Sequence, residues 1–125
     1  MLGYWDTVDD RTGDRRGRVY VYKATDGKYY GKIVSLYQKN ADGSYSILDN
    51  VPQEWRHVIG MVIIKELEPD GDNVMKGRCY DPESQKTYYG KITYKQDKDQ
   101  LILRGSLDKL GVLGRSQTWL RTKTQ

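Results

Sequence analysis

Phenylalanine is absent from the 125 residues, and cysteine and histidine occur once each, as Cys79 and His57. A single cysteine closes no internal disulfide. No Cys-x-x-Cys pair or Cys/His cluster exists, so no metal site is indicated. The redox compartment stays open, and a lone strand cysteine reads as a small buried hydrophobe. His57 stands beside Trp55 and Arg56 in an irregular stretch. It reads as an exposed loop residue rather than as the base a catalytic triad needs. No apolar run approaches the roughly 20 residues of a membrane-crossing helix; the longest, Val58 to Ile64, is broken by Gly60. Neither sign of charge dominates, with 21 Lys and Arg against 17 Asp and Glu. These charges are scattered, whereas nucleic-acid binders carry a concentrated basic stripe. The one dense cluster, Arg11 to Arg18, is diluted by Asp9, Asp10 and Asp14. It reads first as a charged hairpin loop, with a phosphate or lipid-headgroup contact as the lesser option. No glycine-rich loop leads from a strand into a helix. Glu68 to Asn73 lacks the spacing of a calcium loop, and carboxylate pairs such as Asp9-Asp10 or Glu66/Glu68 sit in or near turns. The expectation is a non-enzymatic protein without metal or cofactor.

What remains is aromatic and β-forming. Eleven tyrosines and three tryptophans argue against disorder despite a low mean hydropathy, because disordered chains are poor in aromatics. Tyrosine covers apolar surface with its ring and keeps its hydroxyl wet, which suits strands with one wet face. It equally suits a barrel interior holding water or a polar-headed ligand. The length fits one domain spanning 1–125.

Period-two patterns dominate, punctuated by Gly, Asp and Asn turns. Gly3 to Val8 opens the series, followed by a polar loop, Asp9 to Gly17. Arg18 to Lys23 puts Val19 and Val21 on one face and Tyr20 and Tyr22 on the other. Asp26-Gly27 predicts a tight hairpin with φ > 0 at both positions, and Lys28 to Tyr37 returns. Gln38 to His57 is irregular, with a turn signal at Asp42-Gly43 and a short helical turn at Pro52 to His57. Strands follow at Met61 to Leu67, Val74 to Tyr80, Lys86 to Lys95, Gln100 to Leu107 and Ser116 to Thr122, with an apolar link at Leu110 to Gly114. Alternation points Met75, Gly77, Cys79, Tyr88, Gly90, Ile92, Tyr94, Leu101, Leu103 and Gly105 inward. Eight or nine strands joined by hairpins form a meander. Closure removes its exposed edges, so the fold class is an all-β, closed or nearly closed antiparallel up-and-down barrel.

Lys28-Tyr29-Tyr30-Gly31-Lys32-Ile33 is echoed by Thr87-Tyr88-Tyr89-Gly90-Lys91-Ile92. A glycine inside a strand marks a bend or the close approach of a neighbour, and curved barrel strands need such points. The repeat therefore reads as two equivalent strands.

The chain opens on Gly3-Tyr4-Trp5 and closes on Trp119-Leu120-Arg121. This resembles the lipocalin-like (calycin) pattern, which implies that Trp5 packs at the barrel's closed end in a cation–π contact with Arg121. A wider match covers nearly the whole chain. Gly3-Tyr4-Trp5, Asp26 to Ile33, Tyr80-Asp81-Pro82-Glu83-Ser84, Lys86-Thr87-Tyr88 and Gly114 to Trp119 resemble the bacterial family known as domain of unknown function 2147. Members of that family usually carry glycine where Gln85 stands here. The resemblance implies a lipocalin-like barrel in a mostly exported protein, and no activity. The chain begins directly on its first strand, so the expectation is that an export signal preceded it. A periplasmic or secreted location is expected, with a cytoplasmic one left open.

Two functional readings follow, with an enzyme third, since some calycins catalyse reactions but fold alone does not carry function. In the first, the barrel holds a small apolar or amphipathic ligand. Its wall would then include Tyr29, Tyr88 and Tyr94, with Trp5 or Trp119 nearer an end. In the second, the barrel is packed solid and its outer face, with Tyr20, Tyr22, Tyr89 and the Arg-rich loop, meets a partner in the cell envelope. Either a monomer or a dimer fits both.

Overall fold

The computed structural model describes residues 1–122. Its strands are β1 (Gly3–Val8), β2 (Arg15–Lys23), β3 (Tyr29–Lys39), β4 (Tyr45–Ile47), β5 (Val62–Pro69), β6 (Val74–Asp81), β7 (Lys86–Lys95), β8 (Gln100–Ser106) and β9 (Gly114–Arg121). A 3-10 turn, Gln53–Val58, stands between β4 and β5. Around the sheet the order is β2-β1-β9-β8-β7-β6-β5-β3, and β2 pairs again with β3. Eight antiparallel strands thus close into a barrel, and β4 pairs with β3 alone, outside the ring. With eight strands the interior is wide enough to be filled by side chains or to hold one small ligand.

The alternation read from sequence survives in the barrel. Val19 and Val21 are each 1% exposed, while Tyr20 and Tyr22 face outward with their rings 5.6 Å apart. Tyr4, cross-strand partner of Tyr20, and Tyr30, partner of Tyr22, extend that row at 4.7 and 6.1 Å. Each stacked pair adds about 0.5–1.5 kcal/mol beyond area burial.

Three local expectations are corrected. Strand β2 starts at Arg15, not Arg18, because Arg15 pairs with Val8 and Gly17 with both Thr7 and Leu36. The β1–β2 loop is correspondingly shorter, closed by the Asp9 N–H donating to the Asp14 carbonyl at 2.8 Å. At Asp26-Gly27 only Gly27 takes positive φ, +83°. The loop spans Ala24 to Lys28, and the Asp26 carboxylate accepts from the Lys28 N–H at 2.9 Å. Third, Gln38 to His57 holds an unexpected strand: after the expected turn at Asp42-Gly43, with Gly43 at φ +87°, β4 pairs with β3. Gln85 adopts φ 58°, so the left-handed turn geometry is kept without glycine.

The two repeated glycines do related jobs. A Cβ on Gly31 would lie 3.2 Å from both Ile64 Cβ and Val19 Cγ1, and the β3–β5 register shifts on either side of it. Here β3 bends and its neighbours close in. At Gly90 the register is regular and a Cβ would meet the Arg78 backbone at 3.3 Å. That glycine serves close approach alone.

The interior divides along the barrel axis. Trp5, Val21, Leu67, Ile92 and Leu101 are fully buried, with Tyr29, Met75 and Tyr94 packed against them. They pack one end of the barrel. Over that end the Arg121 guanidinium lies 3.9 Å from the centroid of the Trp5 ring. Arg121 also donates to both Asp99 oxygens at 3.2 Å and to the Leu2 carbonyl at 2.8 Å. The Trp5 indole N–H donates to the Met1 carbonyl at 2.8 Å. The Asp99 carboxyl is held below its ordinary range, first by the Arg121 bonds and then by the Tyr94 hydroxyl.

Candidate functional site

The other end of the barrel is hollow. A cavity of about 920 Å³ opens between the β1–β2 loop, the 48–60 segment, the β6–β7 turn and the β8–β9 link. Its deep wall is apolar: Val19, Ile33, Ile64, Cys79, Leu103 and Trp119, each 9% exposed or less. Leu36, Trp55, Tyr88, Leu107 and Leu113 also line the cavity. The volume falls in the usual range of small-molecule sites, about 300–1,000 Å³.

Polar demand inside is low. The Trp119 indole N–H donates to Gln117 Oε1 at 3.2 Å, and the Tyr88 hydroxyl lies 3.4 Å from Ser84 Oγ. Among the described residues, no buried side-chain nitrogen or oxygen lacks a hydrogen-bond partner. The deep wall therefore calls for no polar ligand atom, and burying one there without a partner would be costly. Burial, with a smaller push from Asp81, raises the Cys79 thiol to about 11. The thiolate that would make it reactive is thus suppressed.

The rim is charged and internally paired. Arg16 bonds Asp9 at 3.1 Å and Glu83 at 3.3 Å, and Arg115 bonds Asp10 at 2.5 Å. Asp9 is held below the ordinary carboxylate range, first by the Arg11 backbone N–H. In the strand order, the β1–β2 loop and the β6–β7 turn stand on opposite sides of the ring, so the Arg16–Glu83 pair spans the mouth. The other two segments, 48–60 and the β8–β9 link, also face one another and are apolar at their tips. His57 sits exposed on the 3-10 turn.

Of the five residues expected to touch a ligand, Tyr88 and Trp119 line the cavity. Tyr29, Tyr94 and Trp5 lie in the filled end: the Trp5 and Tyr94 rings meet edge to face at 6.2 Å, and Lys23 Nζ covers Tyr29 at 5.8 Å. The reason is position along the strand. Tyr88 and Tyr94 share the inward face of β7, but six residues separate them by about 20 Å.

Sequence reasoning missed a second site, on the outer wall. Asp6 is 2% exposed. Its carboxylate accepts from Arg15 Nη1 at 2.5 Å, the Tyr37 hydroxyl at 2.6 Å and the Thr122 hydroxyl at 2.7 Å. Arg18 stands 4.0 Å away and also donates to the Tyr37 hydroxyl. A polar cleft beside this cluster is bordered by Tyr45 to Ile47 of β4 and by Asp49. Asp6 ties β1 to β2, β3 and the end of β9. Its strand position, directly opposite Arg18, was the available signal, since aspartate is depleted in strands unless something holds it.

No curated protein matches the chain. A solved structure of similar fold is Protein HP1028 from the human pathogen Helicobacter pylori, described as belonging to the lipocalin family. The superposition has a TM-score of 0.71 at 22% identity and covers 98% of this chain and 82% of that one. The family profile described as "Uncharacterized protein conserved in bacteria (DUF2147)" matches residues 3–121. The chain belongs to this family, and its fold is that of a lipocalin.

Proposed function

We propose that this protein is a non-enzymatic carrier that holds a small apolar or amphipathic molecule in the open half of its barrel. The observation that carries this reading is the apolar-walled cavity of about 920 Å³ behind a charged rim. An apolar body would occupy the wall of Ile33, Leu36, Tyr88, Leu103 and Trp119, and a polar head would sit among the rim charges. The family resemblance supports work outside the cytoplasm, which fractionation of the native host tests directly.

The ligand reading is tested by titrating the protein with a lipophilic fluorophore and a fatty acid competitor, alongside native mass spectrometry of gently purified material. Saturable one-to-one binding is expected, with quenching of the cavity tryptophans Trp55 and Trp119. Leu36→Trp, which adds bulk to the cavity lining, should weaken binding at least tenfold with little change in melting temperature. No saturable binding by wild type, or full binding by that variant, sinks the reading.

A further inference from the structure

The β8–β9 link, residues 107–113, carries an unusual density of exposed aliphatic side chains. Leu107 is 67% exposed, Leu110 89%, Val112 71% and Leu113 64%. The loop is also built rigidly. The Asp108 carboxylate accepts from the Val112 N–H at 3.0 Å and the Leu113 N–H at 2.6 Å. The Asp108 carbonyl accepts from Ser106 Oγ at 2.7 Å and from the Gly111 N–H at 3.2 Å. Arg104 reaches in from β8 and donates to the Gly111 and Val112 carbonyls at 2.7 and 3.2 Å. The Leu107 N–H donates to the Leu113 carbonyl at 2.9 Å and closes the loop. Much of the polar backbone is satisfied within the loop, while Leu110 and Val112 stand out in solvent and Leu107 and Leu113 border the cavity mouth.

We propose that this loop is a docking tip for the surface of a lipid bilayer, inserting Leu107, Leu110, Val112 and Leu113 at the headgroup–acyl boundary. Three observations select a bilayer over a protein. The four side chains offer roughly 500 Å² of accessible surface, short of the ~800 Å² per partner that a stable protein interface buries. Protein interfaces also use about one hydrogen bond per 100–200 Å², whereas most of this tip's backbone donors and acceptors are already used within the loop. Self-satisfied backbone is what a segment needs where no water reaches. Third, Trp55 is 40% exposed on the opposite side of the same mouth, and tryptophan favours the membrane–water boundary. Two apolar points on opposite sides set the mouth face-on to the membrane. The rim between them holds Arg11, Arg16 and Arg115 against Asp9, Asp10, Asp81 and Glu83, and the tip adds one exposed cation, Lys109. Docking therefore owes little to anionic lipid.

The test is co-sedimentation of the full chain with phosphatidylcholine vesicles, and with vesicles containing phosphatidylglycerol, at low and high salt. Wild type should partition onto both, with less than a threefold change between the salt conditions. Leu110→Ser/Val112→Ser should lower the partition coefficient at least tenfold. Its melting temperature should not move, because both side chains are already in solvent. Four results overturn the proposal: wild type that leaves phosphatidylcholine vesicles unbound, a double variant that binds as well as wild type, binding confined to anionic vesicles and abolished by salt, or self-association in sedimentation velocity that the double variant abolishes while vesicles stay bare. The last result assigns the patch to a second copy of the chain.

Discussion

Replacing Asp6 by asparagine keeps the shape of the side chain and removes its charge. In the native protein that carboxylate is almost wholly shielded, takes three hydrogen bonds of 2.5 to 2.7 Å and lies within 4.0 Å of a second arginine. Hydrogen bonds to a charged group contribute about 1.5–3 kcal/mol each, and removing one partner of a buried pair costs about 3–5 kcal/mol. The arginines are not sealed: the Arg15 side chain is 31% exposed and that of Arg18 17%. Water can repair part of their loss, which lowers the expected cost to about 2–4 kcal/mol. For a chain of this size that is a fall of roughly 10 °C in melting temperature. Urea unfolding followed by tryptophan fluorescence measures it directly. A second arm, Asp6→Asn combined with Arg15→Gln, should cost less than the sum of the two single changes, because the pair acts as a unit. A loss below about 1 kcal/mol for Asp6→Asn, or strict additivity in the double variant, would refute the claim that this cluster ties the barrel wall.

Further outcomes are specific. Arg121→Lys keeps the charge but loses the planar stack on Trp5; it should cost about 1–2 kcal/mol by thermal unfolding, and an unchanged midpoint would discredit the end-pair. Gly31→Ala forces a Cβ to within 3.2 Å of Ile64 and Val19, so chemical denaturation should show a loss of about 1–3 kcal/mol. The Asp99 carboxyl is lowered in the folded state, so its contribution is present above the unfolded carboxylate range and is lost on acidification below about pH 4. Asp99→Asn should therefore flatten the acid limb of the stability profile, and an unchanged limb would exclude that origin. The Cys79 thiol is raised to about 11 from 9.0. Its contribution is intact below about pH 9 and declines as pH rises toward 11. Iodoacetamide at pH 8 should label it far more slowly than a free peptide cysteine; equal rates would contradict the burial argument.

The strands were legible because their chemistry is local. Val19 and Val21 against Tyr20 and Tyr22, Asp26-Gly27 after them, and the two Tyr-Tyr-Gly-Lys-Ile words each declare a strand or turn within a few residues. Strand β4 was not, since Tyr45, Ser46 and Ile47 are too few to show a period. The division of the interior was hidden for a different reason. Alternation says that Tyr88 and Tyr94 face inward, but not that one ends at the mouth and the other beneath Trp5. That depends on register across all eight strands of the closed ring. Asp6 shows the same limit: its partners Arg15, Tyr37 and Thr122 come from three separate parts of the chain.

The Arg16–Glu83 pair has a mechanical consequence. A ring of strands held by backbone hydrogen bonds can still breathe by flattening, its mouth turning from circle to ellipse. A contact between opposite walls works as a tie rod against that motion. Both partners are more than half exposed, and such a pair contributes at most about 1 kcal/mol. The brace is strong enough to give the mouth a preferred outline and weak enough to part under a modest load.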